Sequence, residues 1–155
     1  MFTNKRGFTV VELVIVVCII GIIASFTVAK QSRARVRTQN SIAQRHVATY
    51  ATTARTAAMQ RAHPVTLRIN ADSVWVTADS AGTELPLRPA LLLQRHFGVT
   101  TTASTALVAF NARGFAPGLP ETGARFVLVP SIGGTAVRDT VCVSRTGKVR
   151  TRGCA

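Results

Sequence analysis

The sequence predicts an α+β chain in which one long N-terminal helix precedes an antiparallel β-sheet head. Three observations carry this reading. No proline falls between Phe8 and Ala62, Gly21 is the one glycine there, and Ala34, Ala43, Ala48, Ala51, Ala54, Ala57 and Ala58 keep helix propensity high. After Pro64 the apolar residues change to a period of two, the spacing of a half-buried strand. From Leu13 to Val28 there is no charge, so with the mixed residues before it the start of the helix approaches the ~20 residues that span a bilayer.

The helix begins beside a basic leader. Lys5 and Arg6 precede the apolar run, and Lys30, Arg33, Arg35 and Arg37 follow it, so charge on both flanks leaves the orientation undecided. A secretory signal peptide places its small-residue cleavage site after the apolar stretch, whereas the Gly7-Phe8 junction lies before it. Cleavage there would retain the helix. Glu12 is the anomaly, because a carboxylate at membrane depth costs about 2.5–3.5 kcal/mol unless something compensates it. It is either solvated at the headgroup boundary or paired with a cation, such as the amino group that cleavage would create on Phe8. Cys18 and Gly21 carry no specific signal. A lone thiol among Val17, Ile19 and Ile20 behaves as a small apolar residue, and a single glycine is not a dimerisation motif.

Further along, the helix is expected to carry Val36, Ile42, Val47, Ala51, Ala54, Ala58 and Met59 as an irregular stripe against the sheet. His63-Pro64 ends it, since proline disfavours helical geometry at the residue before it. Val65, Leu67 and Ile69 face one way and Thr66 and Arg68 the other; the turn Asn70-Ala71-Asp72 and a return over 73–77 complete a hairpin. Further strands are expected at 99–101, 106–110, 125–129, 140–144 and 148–152, separated by turn signals such as Arg113-Gly114, Pro117-Gly118 and Gly133-Gly134. Segment 86–97 mixes Pro86 and Pro89 with Leu91-Leu92-Leu93 and reads as a loop packing a short apolar plug. The expected organisation is a leader at 1–7, a membrane half-helix at 8–29, an amphipathic half-helix at 30–63 and a head at 64–155.

Composition bounds the function. Nineteen Lys and Arg stand against six acids, and no acid occurs between Glu12 and Asp72. Such an imbalance suits anionic partners, namely phospholipid headgroups, nucleic acid or acidic proteins. An arginine-rich coding habit, neutralised within a complex, is the plain alternative. Cys142 and Cys154 both lie in the head; in an oxidising compartment they would close a short loop worth about 2–3 kcal/mol, the alternative being two free thiols. No metal-ligand spacing such as Cys-x-x-Cys is present, so zinc is not expected, and the reading includes no cofactor. His46, His63 and His96 are scattered, and no His-Glu-x-x-His, Gly-x-Ser-x-Gly or phosphate loop occurs. Asp72 falls in the expected turn, and Asp79 and Glu84 flank Gly82 as turn formers. The chain therefore reads as non-enzymatic, with no catalytic residues.

The string Gly7-Phe8-Thr9-Val10-Val11-Glu12-Leu13 resembles the processing site of type IV pilins and of the pseudopilins of type II secretion systems. The resemblance implies a prepilin peptidase that cuts after Gly7, methylation of the new amino terminus at Phe8, and Glu12 as the fifth residue of the mature chain. It implies that Glu12 pairs with the Phe8 ammonium of a neighbouring subunit during filament assembly. It also implies the pilin fold, and a single-pass inner-membrane protein with its head outside the cytoplasm. Within the head, Ala54-Arg55-Thr56-Ala57-Ala58-Met59-Gln60-Arg61, Pro64-Val65-Thr66-Leu67, Trp75, Phe110-Asn111-Ala112-Arg113-Gly114, Val141-Cys142-Val143-Ser144 and Gly147-Lys148-Val149-Arg150 are similar, in that order, to the GspH/FimT subgroup of minor pseudopilins and minor pilins.

The C-terminal Gly147-Lys148-Val149-Arg150-Thr151-Arg152 segment is the binding candidate of the head. As a strand it would project Lys148, Arg150 and Arg152 from one face about 7 Å apart, a small phosphate-binding ridge. FimT-like minor pilins of natural transformation carry a Gly-Arg-x-Arg motif near the C-terminus that contacts DNA. Here Lys148 takes the place of the first arginine and binds phosphate as a point charge without the bidentate fork. Val149 and Thr151 offer no stacking platform, so contact with a duplex backbone is expected rather than with unpaired bases. Cations that discourage edge-to-edge sheet association are the plain alternative. Two functions follow. One is a minor pseudopilin or pilin subunit assembling through its helix; the alternative is a FimT-like DNA-binding subunit for uptake.

Overall fold

A computed structural model describes residues 9–80, 83–131, 138–152 and 154, leaving aside the side chains of 26–33 and 80. Gly7, Phe8 and the Gly133-Gly134 turn lie outside the described residues. The chain divides into two compact units, Met1–Arg35 and Val36–Ala155. Helix α1 (Val10–Arg61) supplies the described part of the first and opens the second. Ala62, at φ 53°, takes a left-handed conformation that stops the helix just before His63-Pro64.

The second unit continues as β1 (Val65–Ile69), β2 (Ser73–Ser80), β3 (Thr83–Leu92), the short helix α2 (Leu93–Phe97), β4 (Val99–Ala103), β5 (Leu107–Phe110), β6 (Ala124–Pro130), β7 (Asp139–Val143) and β8 (Val149–Arg150). Two four-stranded antiparallel sheets result, ordered β3-β2-β1-β5 and β4-β6-β7-β8. Alternation drives the strands. In β1 Val65, Leu67 and Ile69 are buried, and in β6 Phe126 and Leu128 are, while the residues between them are not. The turn after β1 also couples the two sheets. Thr101 of β4 donates its amide to Ala71, and Leu93 donates to Asp72, each at 2.6 Å.

One core lies between the sheets and the second half of α1. The helix contributes Ala43, Val47, Tyr50, Ala51, Ala54 and Ala58, spaced at three, four and seven residues as one helical face requires. The expected stripe is corrected at two places: Ile42 and Met59 are exposed, because alanine-rich contact lets the sheets approach closely around a narrower arc. Full burial of Leu67, Phe110, Phe126 and Leu128 contributes about 1.5–3 kcal/mol each.

Segment 86–97 is strand β3 followed by helix α2, not a loop. Pro86 and Pro89 are tolerated because β3 is a sheet edge, where a missing N–H breaks no interior ladder, and its pairing with β2 shifts register on either side of Val76. Of the three leucines only Leu93 is fully buried. Gly98, at φ 63°, closes α2 by donating its amide to Gln94. Asp79 and Glu84 are also reassigned: they are strand residues opposite each other in the β2–β3 hairpin.

Candidate functional site

The start of α1 is built as a reciprocal cap. The Thr9 hydroxyl accepts the Glu12 amide at 3.2 Å, while Glu12 Oε2 accepts the Thr9 amide and hydroxyl at 3.3 Å each. This is the Thr-x-x-Glu box, in which two orphan donors of a helix start are satisfied by the two side chains. Its spacing stood in the sequence beside the more conspicuous processing motif. Behind the cap, Val10, Leu13, Val14, Ile15, Val17, Ile19, Ile20 and Ile23 are all exposed, from 79% at Val10 down to 51% at Ile19. Among the described residues no helix is long and apolar enough to cross a membrane. Described side chains in this stretch end at Ser25, while the uncharged sequence runs on to Ala29. Cys18 is a free, exposed thiol within it.

At the other end of the chain, β7 and β8 meet through a tight turn. Gly147, at φ 74°, donates its amide to Ser144, whose own amide donates to Lys148 at 3.0 Å. The strand expected over 148–152 shrinks to Val149 and Arg150, paired with Val143 and Cys142. The reason is non-local. Gln44 of α1, nearly buried, donates one amide hydrogen to the Thr140 carbonyl at 2.9 Å and the other to the Thr151 carbonyl at 2.6 Å, so the helix takes over where the ladder stops. One helical turn earlier, buried Asn40 donates to Asp139 at 2.8 Å. A disulfide joins Cys142 to Cys154, with Cα atoms 5.8 Å apart.

This arrangement splits the expected ridge. Lys148 and Arg150 line a hollow of ≈ 230 Å³ together with Glu121, Ser144, Cys142 and Cys154. Arg152 lines a different hollow, of ≈ 380 Å³, with Arg125, Arg138, Asp139 and Gln44. Because Arg152 falls after the ladder has ended, it does not continue the alternation of Lys148 and Arg150. All three cations are exposed. Arg125 and Arg138 carried no sequence signal: the pairing of Arg125 with Cys142 across β6 and β7 brings the first to the C-terminal segment, and Arg138 directly precedes β7.

A second convergence involves the short motifs of the head. Arg55 and Met59 of α1 lie over Gly114, and Arg55 Nε is also the side-chain atom nearest to where a Cβ on Gly147 would fall. Asn111 folds the first of these turns by accepting the amides of Arg113 and Phe115 at 3.0 and 2.9 Å. Three stretches distant in sequence thus share one contact. The histidines gather no catalytic set: His46 and His96 flank Phe97, with ring centroids 5.2 and 6.2 Å from it. Among the described residues no three His, Cys, Asp or Glu side chains could hold a metal together.

Comparison with known proteins fits this geometry. The model of the family described as type II transport protein GspH matches residues 43–147. Among solved structures, the type IV minor pilin FimU of Pseudomonas aeruginosa superposes with a TM-score of 0.61 at 16% identity, covering 76% of this chain and 91% of that one. The minor pseudopilin EpsH from the type II secretion system of Vibrio cholerae superposes with a TM-score of 0.59 at 10% identity, covering 72% and 94%. At these identities the two structures establish the shared pilin fold. No curated protein matches the chain. With the family matched from the buried face of α1 through β1 to β7, the chain belongs to the GspH family of type II transport proteins, and it has the pilin fold.

Proposed function

We propose that the chain is anchored in the inner membrane and built into its filament through α1, with the head outside the cytoplasm. The supporting observation is the first unit of α1, whose large apolar side chains are exposed on every side of the helix from Val10 to Ile23. A helix that is apolar all round needs lipid or neighbouring helices around it. In this reading residues 1–7 are a leader removed by prepilin peptidase between Gly7 and Phe8, Phe8 is then methylated, and 8–29 cross the bilayer. Residues 30–63 and 64–155 form the amphipathic half-helix and the globular head. Glu12 finds its cation in the Phe8 ammonium of a neighbouring subunit, which offsets the cost of a carboxylate at that depth. The disulfide suits an oxidising compartment. The test is Glu12→Ala: the variant should be processed normally but absent from sheared filaments, and normal incorporation would refute the charge pair.

A second reading, DNA capture by a FimT-like subunit, is favoured by one observation. Lys148 and Arg150 remain exposed in one hollow beside the Cys142–Cys154 bridge. A duplex whose mobility is shifted at low salt and released as salt rises is the expected result. An unshifted duplex at low salt removes this reading.

A further inference from the structure

Cys154 lines both basic hollows, so Lys148 and Arg150 stand on one side of a single disulfide and Arg125, Arg138 and Arg152 on the other. Each hollow also contains one carboxylate, outnumbered by its cations. Glu121 faces Arg145 at 3.9 Å, and Asp139 accepts the Asn40 amide at 2.8 Å. Arg125 spends one N–H on the Cys154 carbonyl at 3.1 Å, and a guanidinium has five to give. Among the described residues none of these five cations forms an ion pair.

A second copy of this chain is a poor occupant. It brings six acids against nineteen Lys and Arg, and Glu12, Glu84, Glu121 and Asp139 already have partners. A foreign polyanion suits the two hollows better. A lone carboxylate side chain could fill one hollow but not both. Duplex DNA carries a charge for about every 1.7 Å of its axis and offers phosphates to both at once, each with two non-bridging oxygens that a planar arginine fork can bind together.

We infer that the two hollows form one track for a phosphodiester backbone passing over the Cys142–Cys154 bridge, in which Arg125 and Arg138 are phosphate contacts additional to Lys148, Arg150 and Arg152. This rests on the DNA-capture reading above. Arg125 sits in mid-sheet on β6 and is braced by the Cys154 carbonyl, so the disulfide holds one of the contacting side chains as well as joining the hollows.

The test uses the full-length chain in non-ionic detergent and a short fluorescent duplex, read by anisotropy across a salt series. Arg125→Gln with Arg138→Gln should weaken binding at least about tenfold at ~0.1 M salt, and should lower the slope of log affinity against log salt by nearly 2, or ~0.9 per lost phosphate contact. Arg138→Lys should recover most of the loss that Arg138→Gln causes alone. Arg95→Gln with Arg113→Gln, exposed but outside both hollows, should change neither quantity; an equal loss there would overturn the track in favour of diffuse attraction. If Arg125→Gln with Arg138→Gln binds normally while Lys148→Gln with Arg150→Gln does not, the track fails and DNA capture stands. A wild-type chain that binds no duplex sinks both. Polyglutamate that displaces the duplex as well as unlabelled DNA does at equal charge would overturn the phosphodiester assignment and point to an acidic protein. A thermal melt followed by far-UV circular dichroism, unchanged from wild type in every variant, guards against loss through unfolding.

Discussion

Gln44 of α1 donates to the carbonyl of Thr151 at 2.6 Å while its second amide hydrogen reaches Thr140 at 2.9 Å, so one helix side chain joins β7 to the segment that follows β8. The two-residue strand β8 is held from both ends, by the Ser144–Lys148 turn before it and by Gln44 after it. Helix, sheet edge and basic tail are thereby tied together.

Gln44→Met keeps the approximate volume of the side chain and removes both donors. Two partly buried carbonyls then lose their partners, at a cost of about 1–3 kcal/mol. Chemical denaturation should show that loss, and hydrogen exchange should show faster exchange of the amides after Arg150. Unchanged exchange there would mean that the disulfide alone holds the tail.

Gly147→Ala is expected to be more damaging than its size suggests. A Cβ at Gly147 would overlap the Gly114 carbonyl oxygen, both being backbone in tight turns, and φ is 74°, where L side chains are strained. The substitution should destabilise the head by about 1–3 kcal/mol in denaturant. Gly118→Ala, with nothing within 4 Å of the added atom, is the matched control and should lie within about 0.5 kcal/mol of wild type.

What could be read from sequence divides along the range of the interaction. The body of α1, its end near Pro64 and the β1–β2 hairpin follow from periodicity and turn chemistry, which are local. β3 was hidden because Pro86 and Pro89 argue against a strand unless it is known to be an edge, and edge position is a property of the whole sheet. The strand expected over 148–152 stops at Arg150 for the same reason. Alternation along 148–152 assumes a ladder that Gln44, more than a hundred residues away, replaces after Arg150. Arg125 and Arg138 become part of the candidate site only once β6 and β7 pair. The weak motifs around Arg55, Gly114 and Gly147 carried more than their local content, since their meaning is a shared contact.

The disulfide between Cys142 and Cys154 closes a loop with a sequence separation of 12. In the chain-entropy account a loop of that size is worth about 2–3 kcal/mol. Non-reducing mass spectrometry of protein from the cell envelope should find the pair oxidised. Cys142→Ser with Cys154→Ser should lower the denaturation midpoint by a corresponding amount with the sheet retained. If the pair is recovered as free thiols, the compartment or the pairing is wrong.

Glu12 has two roles that a single alanine variant cannot separate. Its carboxylate accepts the Thr9 amide and hydroxyl in the helix cap, and in the proposed filament it also neutralises a Phe8 ammonium. Glu12→Gln separates them, because a glutamine oxygen still completes the Thr-x-x-Gln box but carries no charge. If the charge pair drives assembly, Glu12→Gln should be as defective as Glu12→Ala, both being processed yet missing from sheared filaments. If capping is what matters, Glu12→Gln should assemble nearly as well as wild type while Glu12→Ala does not, and Thr9→Val should share the defect. The charge-pair account predicts a milder effect at Thr9, since that side chain supports the carboxylate without neutralising it. Loss of a cap alone costs about 0.5–2 kcal/mol, a modest sum spread over a helix of 52 residues. A complete block of assembly in Glu12→Gln is therefore too large an effect for the cap to explain.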